Sequence, residues 1–216
     1  KFSEAYDNLG TTLQELGNLE QAEVCVKQAI ALKPDHADFH YNLGNTLREL
    51  GRLEDAASSY RQAIALEPGY SEAHNNLGAT FKELMKLEKS EIHLRQAIAI
   101  NPDFVEAHNN LGNTLQELDR LEESEASLRR AIELKPDYAE AYNNLCSILS
   151  GLGRRDEAMA CLEQALLLKP YYPEAHYNLG YSLSKSGRLE DAVVSYKHAI
   201  ALKNDYVDAH FNLGYT

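Results

Sequence analysis

An asparagine recurs every 34 residues, and its side-chain amide is the most regular source of hydrogen-bonding chemistry in the sequence. An amide has two donor hydrogens and an acceptor oxygen, so a row of amides could bind the main chain of an extended peptide, one rung per repeat. The alternative is that each amide ties its own helix to the next repeat. These residues, which we name the asparagine column, are Asn8, Asn42, Asn76, Asn110, Asn144, Asn178 and Asn212.

Other residues on the same helical face extend the candidate peptide-binding surface. The predicted set is Asn8, Asn42, Asn75, Asn76, Asn109, Asn110, Asn143, Asn144, Asn178, Asn212, Tyr177 and Tyr181. Acids begin the same helices, at Glu4, Asp38, Glu72, Glu106, Glu140, Glu174 and Asp208, and only Arg48, Lys82 and Lys185 stand against them on this face. The surface should therefore accept a neutral or basic peptide rather than an acidic one. The alternative is that the acids only stabilise the helix starts.

Histidine also recurs with the repeat, at His40, His74, His108, His176 and His210. A spacing of 34 residues puts one ring on each repeat, too far apart to share a metal ion, so we expect these rings to pack. The sequence also lacks a phosphate-binding glycine loop, a Gly-x-Ser-x-Gly turn and a Cys-x-x-Cys pair. It therefore predicts a protein that is not an enzyme and has no metal or cofactor.

Charge and composition narrow the partners and the compartment. The formal net charge of −12 and the absence of a basic run argue against nucleic acid. No apolar stretch approaches the roughly 20 residues of a membrane span. Three cysteines, an odd number, favour reduced thiols and a cytoplasmic location. Because the chain stops inside a predicted helix, we expect it to be a fragment whose targeting signal could be missing.

The residue pattern of each repeat predicts two antiparallel helices joined by a tight turn. Apolar residues follow helical spacing twice per repeat, and a glycine between the two stripes is typical of a left-handed helix cap. Met85 and Asp119 replace this glycine in two repeats. A proline near the end of most repeats closes the second helix. The predicted repeats span about 3–36, 37–70, 71–104, 105–138, 139–172 and 173–206, with a partial seventh at 207–216, in a single array.

Small residues complete the pattern: Leu-Gly in most first helices, and alanines in the second helices. The pattern resembles the tetratricopeptide repeat family over essentially the whole chain. The resemblance implies an all-α, right-handed superhelical solenoid whose first helices line the concave side. The sequence Glu-Ala-His-Asn-Asn-Leu-Gly, at 72–78 and 106–112, resembles the repeats of O-linked N-acetylglucosamine transferases.

This reading predicts a protein-protein interaction scaffold that binds an extended peptide in its concave groove. One alternative is that the array is the substrate-selecting arm of a glycosyltransferase or a similar enzyme whose catalytic domain lies outside this chain. Another is a structural module that associates end to end through its uncapped terminal repeats.

Overall fold

A computed structural model of the protein describes residues 1–216, which form thirteen α-helices and no strand. The all-α class and the repeated helix-turn-helix pattern are confirmed. The helices are α1 (Phe2–Glu15), α2 (Leu19–Leu32), α3 (Ala37–Glu49), α4 (Leu53–Leu66), α5 (Ser71–Glu83), α6 (Leu87–Ile100), α7 (Val105–Glu117), α8 (Leu121–Leu134), α9 (Ala139–Gly151), α10 (Arg155–Leu168), α11 (Pro173–Lys185), α12 (Leu189–Leu202) and α13 (Val207–Tyr215).

The chain forms two compact units, Lys1–Thr114 and Leu115–Thr216, which we name unit 1 and unit 2. In unit 1 the hairpins are α1/α2, α3/α4 and α5/α6, and the first helices α1, α3 and α5 contact each other in sequence. In unit 2 the hairpins α9/α10 and α11/α12 follow the same plan, and α9 contacts α11. The first helices within each unit therefore lie side by side and can share one surface.

The turn between the two helices has the predicted left-handed residue. Gly51 has φ +73°, and Met85 and Asp119, which replace glycine, have φ 57° and 59°. The amide of Arg52 bonds to the carbonyl of Leu47 at 2.9 Å, which satisfies an otherwise unpaired carbonyl at the helix end. The same bond forms in the turn that contains Met85, so the cap is retained although the side chain is unfavourable.

The glycine in the middle of the first helix marks a close helix crossing. A Cβ atom at Gly44 would lie 2.5 Å from Cε1 of the Tyr60 ring, and one at Gly180 would lie 2.7 Å from Cδ1 of Tyr196. Tyr60 and Tyr196 are almost completely buried. The absence of a side chain thus lets a large ring from the second helix fill the core directly under the first-helix surface.

Candidate functional site

The asparagine column makes a repeated hydrogen bond between neighbouring first helices. In five repeats the amide nitrogen donates to the side chain that lies 35 residues earlier in the chain. The bonds run from Asn42 to Asp7 (3.0 Å), Asn76 to Tyr41 (3.1 Å), Asn110 to Asn75 (2.9 Å), Asn178 to Asn143 (2.9 Å) and Asn212 to Tyr177 (3.0 Å). Each bond ties a repeat to the preceding repeat, the kind of inter-repeat tie that one reading of the sequence proposed.

The acceptors form a second column, one residue before each asparagine, which sequence reasoning did not recognise as acceptors. They differ chemically: a carboxylate at Asp7, phenols at Tyr41 and Tyr177, and amides at Asn75 and Asn143. Burial raises the pKa of Asp7 in spite of the bond from the amide of Asn42. A donor that stays constant while its acceptor varies explains why asparagine recurs and the preceding residue does not.

Burial divides the predicted asparagines into two groups. Asn75, Asn109 and Asn143 are each 6% exposed, so little of these side chains is open to a ligand. Members of the asparagine column are half-buried, apart from the exposed Asn8. The side-chain oxygens (Oδ1) of Asn42, Asn110, Asn178 and Asn212 have no partner in the protein. These amides are thus held at one edge and retain hydrogen-bonding capacity at the other.

Unit 1 has a polar depression of about 460 Å³ on the first-helix surface, lined by Gln14, Asn45, Arg48, Glu49, Tyr60, Asn76 and Glu83. Arg48 pairs with Glu83 of the next first helix, and the amide nitrogen of Gln14 donates to Glu49 at 2.6 Å. With two carboxylates and one guanidinium, the depression has a net negative charge. Of these residues, sequence reasoning had selected only Asn76 as a binding residue.

Unit 2 has a depression of about 400 Å³ that brings Tyr177, Asn178 and Tyr181 together. All three were predicted from the sequence. The rest of its lining consists of Cys146, Ser147, Ser150, Gly151 and Ser182, which sequence reasoning missed because small side chains gave no chemical signal. The ring of Tyr177 lies 5.9 Å from that of Tyr196 and 5.1 Å from that of Tyr206, measured between centroids. Packing thus fixes one aromatic wall, while Tyr181 is 45% exposed.

The recurring histidines bond to the backbone at the end of the preceding repeat. The ring Nε2 of His40 lies 2.8 Å from the carbonyl of Pro34, and a contact to the carbonyl six residues earlier recurs at His74, His108, His176 and His210, where the partner of His210 is Asn204. Because a carbonyl only accepts, Nε2 must carry the proton. No group of three or more His, Cys, Asp or Glu side chains is arranged to hold a metal ion.

One histidine pair escaped the spacing argument because both rings belong to a single repeat. Nδ1 of His74 on α5 lies 3.2 Å from Nδ1 of His93 on α6. Burial lowers the pKa of His74, and burial, the adjacent His74 ring and Arg61 lower the pKa of His93 to about 4. Both rings are therefore neutral near pH 7, and because the proton of His74 is on Nε2, Nδ1 of His93 donates to Nδ1 of His74.

None of the helices combines the length and the apolar character that crossing a bilayer would require.

Comparison with protein-family models gives one kind of match along the chain. A model described as tetratricopeptide repeat matches residues 8–71, and another of that description matches residues 105–138. A model described as TPR repeat matches residues 86–119, 147–187 and 180–216. No curated protein matches the chain in sequence.

Solved structures with the same fold include PilW, described as a widely conserved type IV pilus biogenesis factor. It is 17% identical, with 99% of each chain covered and a TM-score of 0.89. Pseudomonas aeruginosa PilF is 17% identical, covering 99% of this chain and 97% of its own, with a TM-score of 0.85. YrrB, described as a TPR protein with an unusual peptide-binding site, is 22% identical, covering 87% and 96%, with a TM-score of 0.65. At these identities the likeness shows the fold alone.

Proposed function

The chain belongs to the tetratricopeptide repeat family, and we propose that it is a protein-interaction scaffold that binds an extended peptide along its first helices. The observation that carries the proposal is the hydrogen bonding of the asparagine column, in which the side-chain nitrogens are bonded within the protein and several side-chain oxygens are not. The amide nitrogen of each bonded side chain is occupied by the preceding repeat, while the side-chain oxygen of Asn42, Asn110 or Asn178 has no partner in the protein. A peptide backbone presents N–H donors that match such oxygens.

The bonds between repeats also favour binding energetically. An amide that is already held in one orientation loses less conformational freedom when a ligand binds than a freely rotating amide does. The bond to the neighbouring repeat and the bond to a ligand thus act together, because the first prepares the side chain for the second. Both interpretations of the asparagine column can apply to the same residues.

The charge of the surface selects the kind of peptide. Acids begin the first helices, and the depression in unit 1 contains Glu49 and Glu83 against Arg48, which is already paired. A peptide lying along these helices should be neutral or basic, since like charges repel at close range.

The test separates the ligand role of the asparagine column from its role between repeats. A triple variant with alanine at the donors Asn42, Asn110 and Asn178 loses both the inter-repeat bonds and the free carbonyl oxygens. The matched variant has alanine at their acceptors Asp7, Asn75 and Asn143, and loses the same three bonds while it keeps the column. The probe is the tightest peptide selected from a random twelve-residue display library, measured by calorimetry.

We expect the donor variant to weaken binding more than the acceptor variant. Each lost amide contact is worth about 0.5 to 1.5 kcal/mol, so three should reduce affinity at least tenfold. Circular dichroism checks that both variants are folded. Equal affinities in the two variants would mean that the asparagine column is structural. Failure of any library peptide to bind the parent protein would contradict the scaffold proposal itself.

Two further proposals use the same array differently. As the substrate-selecting arm of a glycosyltransferase, it would bind peptides on this surface, and the protein that contains it would also transfer a sugar to them. As a structural module, it would associate end to end through exposed apolar residues such as Phe211 on α13 and Leu9 on α1. Light scattering over a range of protein concentrations tests that association.

A further inference from the structure

A second pocket in unit 2, lined by residues of α9, α10 and α11, differs in charge from the first-helix surface. It has a volume of about 320 Å³ and is lined by Ser150, Arg155, Met159, Tyr181, Ser182, Lys185 and Ser186. Two of these residues are cations and none is a carboxylate. These two positive charges contrast with the net charge of −12 of the chain.

Neither cation is neutralised within the protein. Arg155 makes no ion pair or side-chain hydrogen bond, and Lys185 contacts only the face of the Tyr181 ring, with Nζ 5.3 Å from the ring centroid. The neighbouring Arg154 shows the usual arrangement in this chain, because its guanidinium bonds to Glu125 and Glu157. The positive charge of the pocket is therefore available to a ligand.

Departures from the repeat pattern create this charge. Lys185 stands where the first four repeats have Glu15, Glu49, Glu83 and Glu117. Arg155 stands where the other repeats have Leu19, Leu53, Leu87, Leu121 and Leu189. Met159 stands where three repeats have Glu23, Glu91 and Glu125. Two cations are gained and carboxylates are lost at positions that are far apart in sequence but line one pocket.

Hydroxyl groups supply the remaining polar lining, from Ser150, Tyr181, Ser182 and Ser186. In the unliganded protein the Ser186 hydroxyl donates to the carbonyl of Ser182 at 2.9 Å, but a hydroxyl can rotate toward a new acceptor. Arg155 is the first residue of α10, where the unpaired amides of a helix N-terminus add partial positive charge. Cations with several hydroxyl donors suit an anion that has several acceptor oxygens.

We propose that this pocket binds a phosphoryl group, carried by a phosphorylated serine or threonine of a bound peptide. A phosphoryl group carries close to two negative charges at pH 7 and three acceptor oxygens, so it matches two cations and several hydroxyl-bearing residues better than a single carboxylate does. The peptide origin of the group rests on the proposed function. The pocket would then accept one anionic residue within an otherwise neutral or basic peptide.

The test uses variants that restore the residues of the other repeats and so should fold. These are Arg155→Leu and Lys185→Glu, with Lys197→Glu on α12 as a control of equal charge change outside the pocket. The probes are inorganic phosphate and the capped peptide Gly-Ala-Ala-X-Ala-Ala-Gly, in which X is phosphoserine, serine or glutamate. Binding is measured by calorimetry at low salt, and thermal melts follow folding.

We expect the phosphoserine peptide to bind the parent protein, and Lys185→Glu to weaken it at least about tenfold, since a charge-assisted contact becomes a repulsive one. Arg155→Leu should weaken it several-fold, and Lys197→Glu less than about twofold. Lys185 also lies in the last turn of α11, so a purely structural role would lower the melting temperature of Lys185→Glu without changing its affinity. That result would overturn the proposal.

The probes also separate this proposal from the scaffold proposal. Phosphate binding that is lost in Lys185→Glu supports the pocket whether or not peptides bind elsewhere on the surface. A phosphoserine peptide that binds no more tightly than inorganic phosphate overturns the peptide source. A glutamate peptide that binds as well as the phosphoserine peptide overturns the phosphoryl assignment, and no binding of either phosphate probe overturns the site.

Discussion

Met85 adopts a backbone conformation that a side chain with a Cβ atom disfavours. Its φ of 57° lies in the left-handed region, which costs a non-glycine residue roughly 1 to 2 kcal/mol. The Met85 side chain is 71% exposed, so the residue recovers little by burial. We therefore expect Met85→Gly to raise the free energy of unfolding by about 1 kcal/mol and the melting temperature by about 2 to 4 °C.

Asp119 provides the comparison at the same position of the next repeat. Its φ of 59° is almost identical, but aspartate tolerates the left-handed region better than methionine does. Asp119→Gly should therefore stabilise the protein less than Met85→Gly. A thermal melt in which Met85→Gly gains nothing, or loses stability, would show that the methionine makes a contact that offsets its backbone strain.

Helix pairs depend on the glycine at which they cross. A Cβ atom at Gly44 would lie within 3 Å of three atoms of the Tyr60 ring, so Gly44→Ala must displace that ring. The displacement would also break the bond from the Tyr60 hydroxyl to Asn45, which is 2.7 Å long. Overpacking typically costs 1 to 3 kcal/mol and exceeds the gain of about 1 kcal/mol in helix propensity. We expect a net loss of about 1 to 2 kcal/mol in urea-induced unfolding.

Gly69 is a matched control for this substitution. It lies in a loop without a positive φ, and a Cβ atom there would meet nothing within 4 Å. Gly69→Ala should leave stability unchanged or raise it by less than about 1 kcal/mol, because alanine restricts the unfolded chain. Equal losses in the two variants would refute the argument from the Gly44 crossing.

For the molecule as a whole, the sequence predicts what its local signals determine. The period of 34 residues correctly predicted the helix pairs, and the position of the turn correctly predicted the left-handed conformation of Met85 and Asp119. The acceptor of each column asparagine could not be predicted, because it depends on the register between first helices whose contacting residues are 35 positions apart. The sequence shows that Arg155 replaces a leucine of the other repeats. That Arg155 and Lys185 line one pocket could not be predicted, because it depends on how α10 packs against α11.

Stability should fall with acid in two overlapping ranges of pH. Burial lowers the pKa of His74, and the pKa of His93 is lowered to about 4, so both rings bind a proton more readily in the unfolded chain. Their contribution to the free energy of unfolding is therefore complete above about pH 6.5 and is lost progressively toward pH 4. Hydrogen bonds from Lys27 and Lys169 lower the pKa values of Glu23 and Glu140, whose contributions are lost below about pH 4.5.

The histidine contribution can be isolated with His93→Ser, because serine occupies the same position in three other repeats, at Ser59, Ser127 and Ser195. Urea midpoints measured between pH 8 and pH 4 should fall less steeply in this variant than in the parent protein from pH 6.5 to 4.5. His198→Gln removes a histidine from α12 without affecting the pair, so it should retain the slope of the parent protein. If His93→Ser has that slope too, protonation of the pair does not determine stability, and the loss between pH 6.5 and 4.5 arises from other groups.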